Sequence, residues 1–247
     1  MPRQAATRLK GPYRRHMTTV VVTGAARGLG FCLAEAYLKQ GATVFGLDLL
    51  DQTAELARTY GDRFHAIRCD ITDEGQVRRA AEEVATADGG AVDLLINDAA
   101  IYLEKPFTDA NEFDAEMARR TFDVNAVGPL LLVKHFLPLV LTGSGKKIVY
   151  ISSEAGSISH NWRSREYAYC MSKAAVNMQS VILQRRVKDD GVKVLAIQPG
   201  WMRTVMGGAD ADLDPSESAA GIVDVIARNS DIDGPAYLDY TGKAWEW

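Results

Sequence analysis

Cysteine is scarce in this 247-residue chain: Cys32, Cys69 and Cys170 stand apart, with no Cys-x-x-Cys pair and no metal-ligand spacing. That excludes a disulfide framework and a structural zinc site, and three reduced thiols in a cytoplasmic protein are expected. A basic excess is also absent. The 28 Lys and Arg against 32 Asp and Glu leave a net charge of −4, which offers little to nucleic-acid phosphates or an anionic membrane. Long apolar runs are missing as well. The longest, Ala126 to Leu141, is interrupted by Lys134, His135 and Pro138 and is shorter than the roughly 20 residues that span a bilayer. It is expected to form a buried helix, and neither nucleic acid nor membrane is expected as a partner.

The first sixteen residues, Met1 to His16, are rich in Arg and Lys and hold no apolar core segment, so they do not make a secretory signal. They are read as an extension, outside the folded part, ahead of a single domain over 17–247. That domain has ample apolar material, since 47% of the chain is hydrophobic and 24% charged.

From Met17 onward, short β-branched runs alternate with segments of helical periodicity, the pattern of a parallel sheet wrapped by helices. Strands are predicted at Thr19–Thr23, Thr43–Leu47, Phe64–Cys69, Val92–Ile96, Lys147–Ile151, Val192–Gln198 and Ala236–Leu238. Leu29, Leu33, Ala36 and Tyr37, and likewise Val77, Ala80, Ala81 and Val84, recur at helical spacing and mark buried stripes. The expected fold is α/β, a single doubly wound parallel sheet of about seven strands, of the Rossmann type. Ligands in such sheets bind beyond the carboxyl ends of the strands, where the winding reverses.

The first strand runs into Thr23-Gly24-Ala25-Ala26-Arg27-Gly28-Leu29-Gly30 and then a helix. Glycines there allow a tight turn and close backbone approach, and the helix start offers free N–H groups to a pyrophosphate. Asp48, at the end of the second strand, is placed to accept from ribose hydroxyls and to repel a 2′-phosphate, which favours NAD. Arg27 argues for NADP, since it could pair with that phosphate. Asp70 ends the third strand, either as an adenine contact or as the start of a turn into the next helix.

Tyr169 and Lys173 stand at i and i+4 on a helix predicted from Tyr167 to Lys188, so their side chains share a face. A free phenol titrates near pH 10, and an adjacent ammonium would lower that value toward the range useful for proton transfer. Ser152 and Ser153 end the fifth strand, where a hydroxyl could hold a reacting oxygen.

In this order and combination, Thr23-Gly24-x-x-x-Gly28-x-Gly30, Asp70, Asn97-Asp98-Ala99-Ala100, Asn125, Ser152-Ser153, Tyr169-x-x-x-Lys173 and Pro199-Gly200 resemble the short-chain dehydrogenase/reductase family over nearly all of Met17 to Trp247. Tyr167-Ala168-Tyr169, the segment Pro199 to Gly208 and the tail from Tyr240 to Trp245 are similar to the branch that contains the C-factor signalling protein and the sniffer-type carbonyl reductases.

The resemblance implies an oxidoreductase that moves a hydride between a nicotinamide cofactor and a secondary alcohol, ketone or aldehyde, with no metal. It implies a catalytic set of Asn125, Ser153, Tyr169 and Lys173. Tyr169 would be the general acid/base, and Asn125 would hold a water linking Lys173 to solvent. The implied cofactor contacts are Gly24, Arg27, Gly28, Leu29, Gly30, Asp48, Asp70, Ile71, Asn97, Ala99, Ala100, Tyr169, Lys173, Pro199, Gly200, Met202 and Thr204. NAD is expected, with NADP as the alternative. A dinucleotide-binding signalling or sensor protein is the competing reading. A homodimer or homotetramer is expected by family analogy, with Leu131, Phe136, Met178 and Ile182 as interface candidates.

Two departures stand out. Asp98 and Ala100 replace the second and fourth residues of the usual Asn-Asn-Ala-Gly. The stretch between Ser153 and Tyr169 is longer than the family's norm, and His160 and Trp162 within it are candidate pocket residues or a solvent-facing excursion.

Overall fold

The computed structural model describes residues 18–50, 52–87, 89–104, 113–229 and 233–247; the expected extension Met1 to His16 lies outside them. Seven strands form the sheet: β1 (Thr19–Thr23), β2 (Thr43–Asp48), β3 (Phe64–Arg68), β4 (Leu94–Asn97), β5 (Lys147–Ile151), β6 (Lys193–Gln198) and β7 (Ala236–Asp239). Their order is β3-β2-β1-β4-β5-β6-β7, and every pairing is parallel. The winding therefore runs outward from β1 through β3, then restarts at β4 on the other side of β1. This leaves a crevice at the carboxyl ends of β1 and β4.

The helices are α1 (Gly28–Lys39), α2 (Ala54–Tyr60), α3 (Glu74–Thr86), α4 (Ala115–Phe122), α5 (Gly128–Thr142), α6 (Tyr167–Val187) and α7 (Pro215–Arg228). Asp73, Asp114 and Asp214 start α3, α4 and α7 by accepting first-turn N–H groups from Gln76, from Glu116 and Met117, and from Ser216. One core lies on each face of the sheet. Leu29, Leu33, Ile222 and Val225 of α1 and α7 pack on one side, and Val77, Leu132, Phe136 and Val176 of α3, α5 and α6 on the other. Strands buried on both faces explain the near-continuous Val/Ile/Leu runs such as Val20 to Val22.

Two expectations are corrected here. Val92 and Asp93 precede β4 and do not belong to it. The apolar helix also begins earlier than Ala126, because a π-helical turn at Asp123–Val127 joins α4 to α5 without a break. Among the described residues, the combined run Ala115–Thr142 is the one long and apolar enough to cross a membrane, and half of its apolar window is buried inside the fold. Leu132, Val133, Phe136 and Val140 pack in the core beneath β4 and β5, which accounts for its hydrophobicity.

Candidate active site

Thr23, the last residue of β1, joins the two halves of the sheet: its Oγ1 accepts from the N–H groups of Asp98 (3.0 Å) and Ala99 (3.1 Å) beyond β4. The glycine-rich turn follows. Gly24 (φ 73°) and Gly28 (φ 59°) take left-handed conformations, and a Cβ on Gly30 would sit 2.2 Å from the Gly24 carbonyl oxygen. Only glycines close this loop onto α1. Arg27 precedes the helix without a side-chain cap, which leaves first-turn N–H groups for a ligand, while that of Gly30 lies near the Asp98 carboxylate and acts to lower its pKa. Leu29 lies buried beneath the turn.

Asp48 ties β2 to this loop, accepting from Ala26 N–H (3.0 Å) through Oδ2 and from Leu50 N–H (2.9 Å) through Oδ1. Asp70 is engaged in a local turn: its Oδ1 accepts from Thr72 N–H (2.9 Å) and Thr72 Oγ1 (2.7 Å). Ile71 beside it is buried, against the start of α5. Asn97 is buried at the end of β4, and its Oδ1 has no hydrogen-bond partner. Ala99 and Ala100 line the turn that follows.

Beyond β6, Pro199 accepts from Ser218 Oγ (2.7 Å), Gly200 takes φ 81°, and Met202 bridges to Leu213. The segment returns over the glycine loop, with Thr204 Cγ2 3.6 Å from where a Gly28 Cβ would stand. These strand ends thus form one cradle. Its left-handed glycines, open helix start and unpartnered Asn97 Oδ1 fit the pyrophosphate and sugar of a dinucleotide.

Across the crevice, Lys173 is buried and donates to the Ile151 carbonyl (2.8 Å), with its Nζ 5.8 Å from the Tyr169 ring centre. Asn125, in the π turn, accepts from Ile101 N–H (2.8 Å) and donates to Ile101 O (2.9 Å) and Ser172 Oγ (3.1 Å). Its side chain pins the segment after β4 to α6. The Ser153 hydroxyl lies near the Tyr169 phenol and acts to lower its pKa.

Burial pushes the phenol up to about 12, helped by the Glu154 charge and opposed by Ser153 and Arg163. The lowering expected from Lys173 is not realised in the chain alone, where burial dominates and the groups that oppose it are Ser153 and Arg163. Burial also lowers Lys173 and raises Asp98, while their mutual attraction opposes both shifts.

The short chain dehydrogenase family model matches residues 18–213. The chain belongs to this family. Among its relatives, the C-signal of Myxococcus xanthus is 33% identical over 171 residues, 69% of this chain and all of that protein. A short-chain dehydrogenase/reductase from Burkholderia multivorans with bound NADP superimposes with a TM-score of 0.85 at 31% identity, covering 94% of this chain and 100% of its own. The carbonyl reductase Sniffer of D. melanogaster gives 0.87 at 25% identity, with the same coverage.

In this short-chain dehydrogenase, several side chains around Tyr169 were not read from the sequence. Glu104 is buried after β4, and its carboxylate accepts from the N–H groups of Ala168 (2.9 Å) and Tyr169 (2.8 Å). It caps α6 in place of Glu166, which sits at left-handed φ 67° and caps nothing. Tyr102 packs edge-on to Tyr169 at 5.2 Å and donates to Glu166 (2.9 Å). Ser153 donates to Glu154 (2.8 Å), and Arg163 bonds both Glu154 and Glu166. The one available signal was the concentration of Glu154, Arg163 and Glu166 in the lengthened segment. His160 and Trp162, the pocket candidates there, turn outward instead: Trp162 is 77% exposed and His160 pairs with Glu246.

Proposed function

We propose that this chain catalyses reversible hydride transfer between a nicotinamide dinucleotide and a secondary alcohol, ketone or aldehyde. The observation that carries the reading is the meeting of the Ser153 and Tyr169 hydroxyls beside a buried Lys173 at the reversal of the sheet. Members of this family are oxidoreductases of alcohols and carbonyl compounds that use such a cofactor. Gly24 to Gly30, Asp48, Asn97 to Ala100 and Pro199 to Thr204 would hold the dinucleotide, which when bound would supply or accept the hydride.

The protein's part is proton handling and orientation. Ser153 holds the reacting oxygen. Tyr169 gives it a proton during reduction or takes one during oxidation, and Lys173 supplies positive charge that favours the phenolate. NAD is the cofactor that this reading favours: Asp48, held at the end of β2 by two backbone N–H groups, would oppose a 2′-phosphate there.

The test scans NADH and NADPH against ketones and aldehydes, with Tyr169→Phe as control. Turnover of at least one carbonyl, lost about 100-fold or more in the variant, is expected. Dinucleotide binding without turnover would instead support a sensor, the reading favoured by full coverage of the C-signal protein.

The assembly is a homodimer or homotetramer, supported by an apolar face of Leu130, Met171, Met178 and Ile182, each at least 46% exposed. Phe136 is withdrawn from that interface because it is wholly buried in the core. Three unpaired cysteines fit a reducing, cytoplasmic location.

A further inference from the structure

The turn Glu154–Gly156 follows β5 after Ser152 and Ser153 and sets a carboxylate against the Ser153 hydroxyl. Ser153 has one proton and gives it to Glu154 Oε2 at 2.8 Å, while the same Oγ accepts from Ala155 N–H at 3.2 Å. Glu154 does not stand alone. Arg163 reaches down from the lengthened segment, bonds Glu154 with one arm and Glu166 with the other, and Glu166 also accepts from Tyr102. The clasp is mostly sheltered, since the Arg163 and Glu166 side chains are about one-fifth exposed and Glu154 one-third.

We propose that Glu154 is a positioning residue for the proton chemistry at Tyr169, fixing the Ser153 hydroxyl proton and setting, against Arg163, the charge that the phenol feels. The proposal rests on the catalytic reading above and adds to it a residue that acts through Ser153. With its proton on Glu154 and one lone pair taken by Ala155 N–H, the Ser153 oxygen keeps one lone pair for the phenol or for an incoming alcohol hydroxyl.

Two roles were open to this carboxylate, and magnitudes decide between them. As a relay, Glu154 would accept the proton that Tyr169 sheds. Burial raises its pKa, but the Arg163 and Ser153 hydrogen bonds outweigh that and hold it below the usual 4.5. A proton passed from a phenol at about 12 to such a group moves far uphill, so Glu154 stays ionised. Its effect is electrostatic and orientational.

The other titratable groups around Tyr169 are common to wild type and both variants. On its own helix stand Lys173 and Cys170; Tyr102 and Glu104 face it from the segment after β4, and Tyr237 from β7. Asp98 acts on Lys173. Glu154 raises the phenol and Arg163 lowers it. Removing either one therefore predicts shifts of opposite sign, which a merely structural role would not produce.

The experiment measures kcat/KM for alcohol oxidation against pH in the wild type, Glu154→Gln and Arg163→Gln. Glu154→Gln is expected to move the alkaline activation limb down by roughly half to one pH unit, and Arg163→Gln to move it up by a similar amount. A second readout needs no turnover: phenolate absorbance in saturating oxidised dinucleotide, with a Tyr169→Phe background subtracted, should show the same opposed shifts. If no substrate turns over, the catalytic reading fails while this titration still decides the role of Glu154. If one variant does not fold, the other carries the sign. Unchanged midpoints, or shifts of both variants in one direction, would overturn the proposal.

Discussion

Gly156 offers a direct way to pull the two halves of the active site apart. It closes the turn that carries Ser153, and a Cβ added there would lie 2.8 Å from the Lys173 carbonyl carbon, 2.9 Å from its oxygen and 3.0 Å from Asn177 Nδ2. Its backbone is not in the left-handed region, so alanine is conformationally allowed and the contact is the whole perturbation. The turn and α6 are stitched at this point, with Asn177 donating to Gly156 O (3.1 Å) and accepting from Ser152 Oγ (2.6 Å). Carbon contacts relax only near 3.5 Å, so the turn must back away from α6 by about half an ångström. Overpacking of this kind costs about 1–3 kcal/mol, or roughly 2–12 °C in melting temperature for a domain of this size. Misplacement by about 1 Å can cost on the order of 100-fold in rate, so half of it predicts a kcat lower by about tenfold for Gly156→Ala. Dinucleotide affinity, read by cofactor fluorescence, should change less than kcat, because among the implied cofactor contacts only those on α6 adjoin Gly156. A kcat within twofold of wild type alongside a lowered melting temperature would refute the reasoning, since it would mean that the separation does not reach Ser153 and Tyr169.

Asp93 predicts an acid-sensitive fold. Its carboxylate accepts from Thr19 N–H (2.9 Å), Ser144 N–H and Oγ (both 2.7 Å) and Gly145 N–H (2.8 Å), and although burial raises its pKa, these bonds together depress it. Its stabilisation is therefore present above the ordinary value of 3.8 and lost as pH falls through the lower folded value. Asp93→Ala should cost about 3 kcal/mol at pH 7, with a difference from wild type that narrows toward pH 2 in thermal melts. Alkaline pH works through the tyrosines. Burial pushes Tyr37, Tyr150 and Tyr237 well above 10, so the stability they lend is complete below about pH 10 and lost as pH rises toward their folded values. Melting temperature should fall steeply between pH 9.5 and 11 on this basis, and Tyr150→Phe, which removes a buried hydroxyl with no partner, should soften that fall; an unchanged slope would count against it.

Much of the scaffold was legible because its signals are local. Five residues of Thr-Val-Val-Val-Thr before a glycine turn can hardly be anything but a buried strand entering a helix, and β1, β5 and the start of α6 fall where the periodicity places them. Tyr169 and Lys173 were readable because helical geometry alone puts i and i+4 together. Glu104, Glu154 and Arg163 were not, since each acquires its meaning from a partner elsewhere: Glu104 meets the N–H of Tyr169 from 65 positions away. Leu131 and Phe136 illustrate another limit. Neighbouring apolar residues on one helix look alike in sequence, yet Phe136 faces the core while Leu131 is only partly covered. The membrane-length run escaped notice for the opposite reason, because polar residues in α4 hid its continuity with α5.

The π turn at Asp123–Val127 amounts to one residue more than an α-helix needs between Ala115 and Thr142. Such an insertion rotates everything downstream by about 100° relative to an uninterrupted helix. Deleting a single residue there would yield a more regular helix while swinging the Leu132, Phe136 and Val140 stripe away from the sheet and taking Asn125 from Ile101. The apolar register of α5 and the placement of Asn125 are thus one inheritance, and no change in chain length at this joint can alter the first without the second.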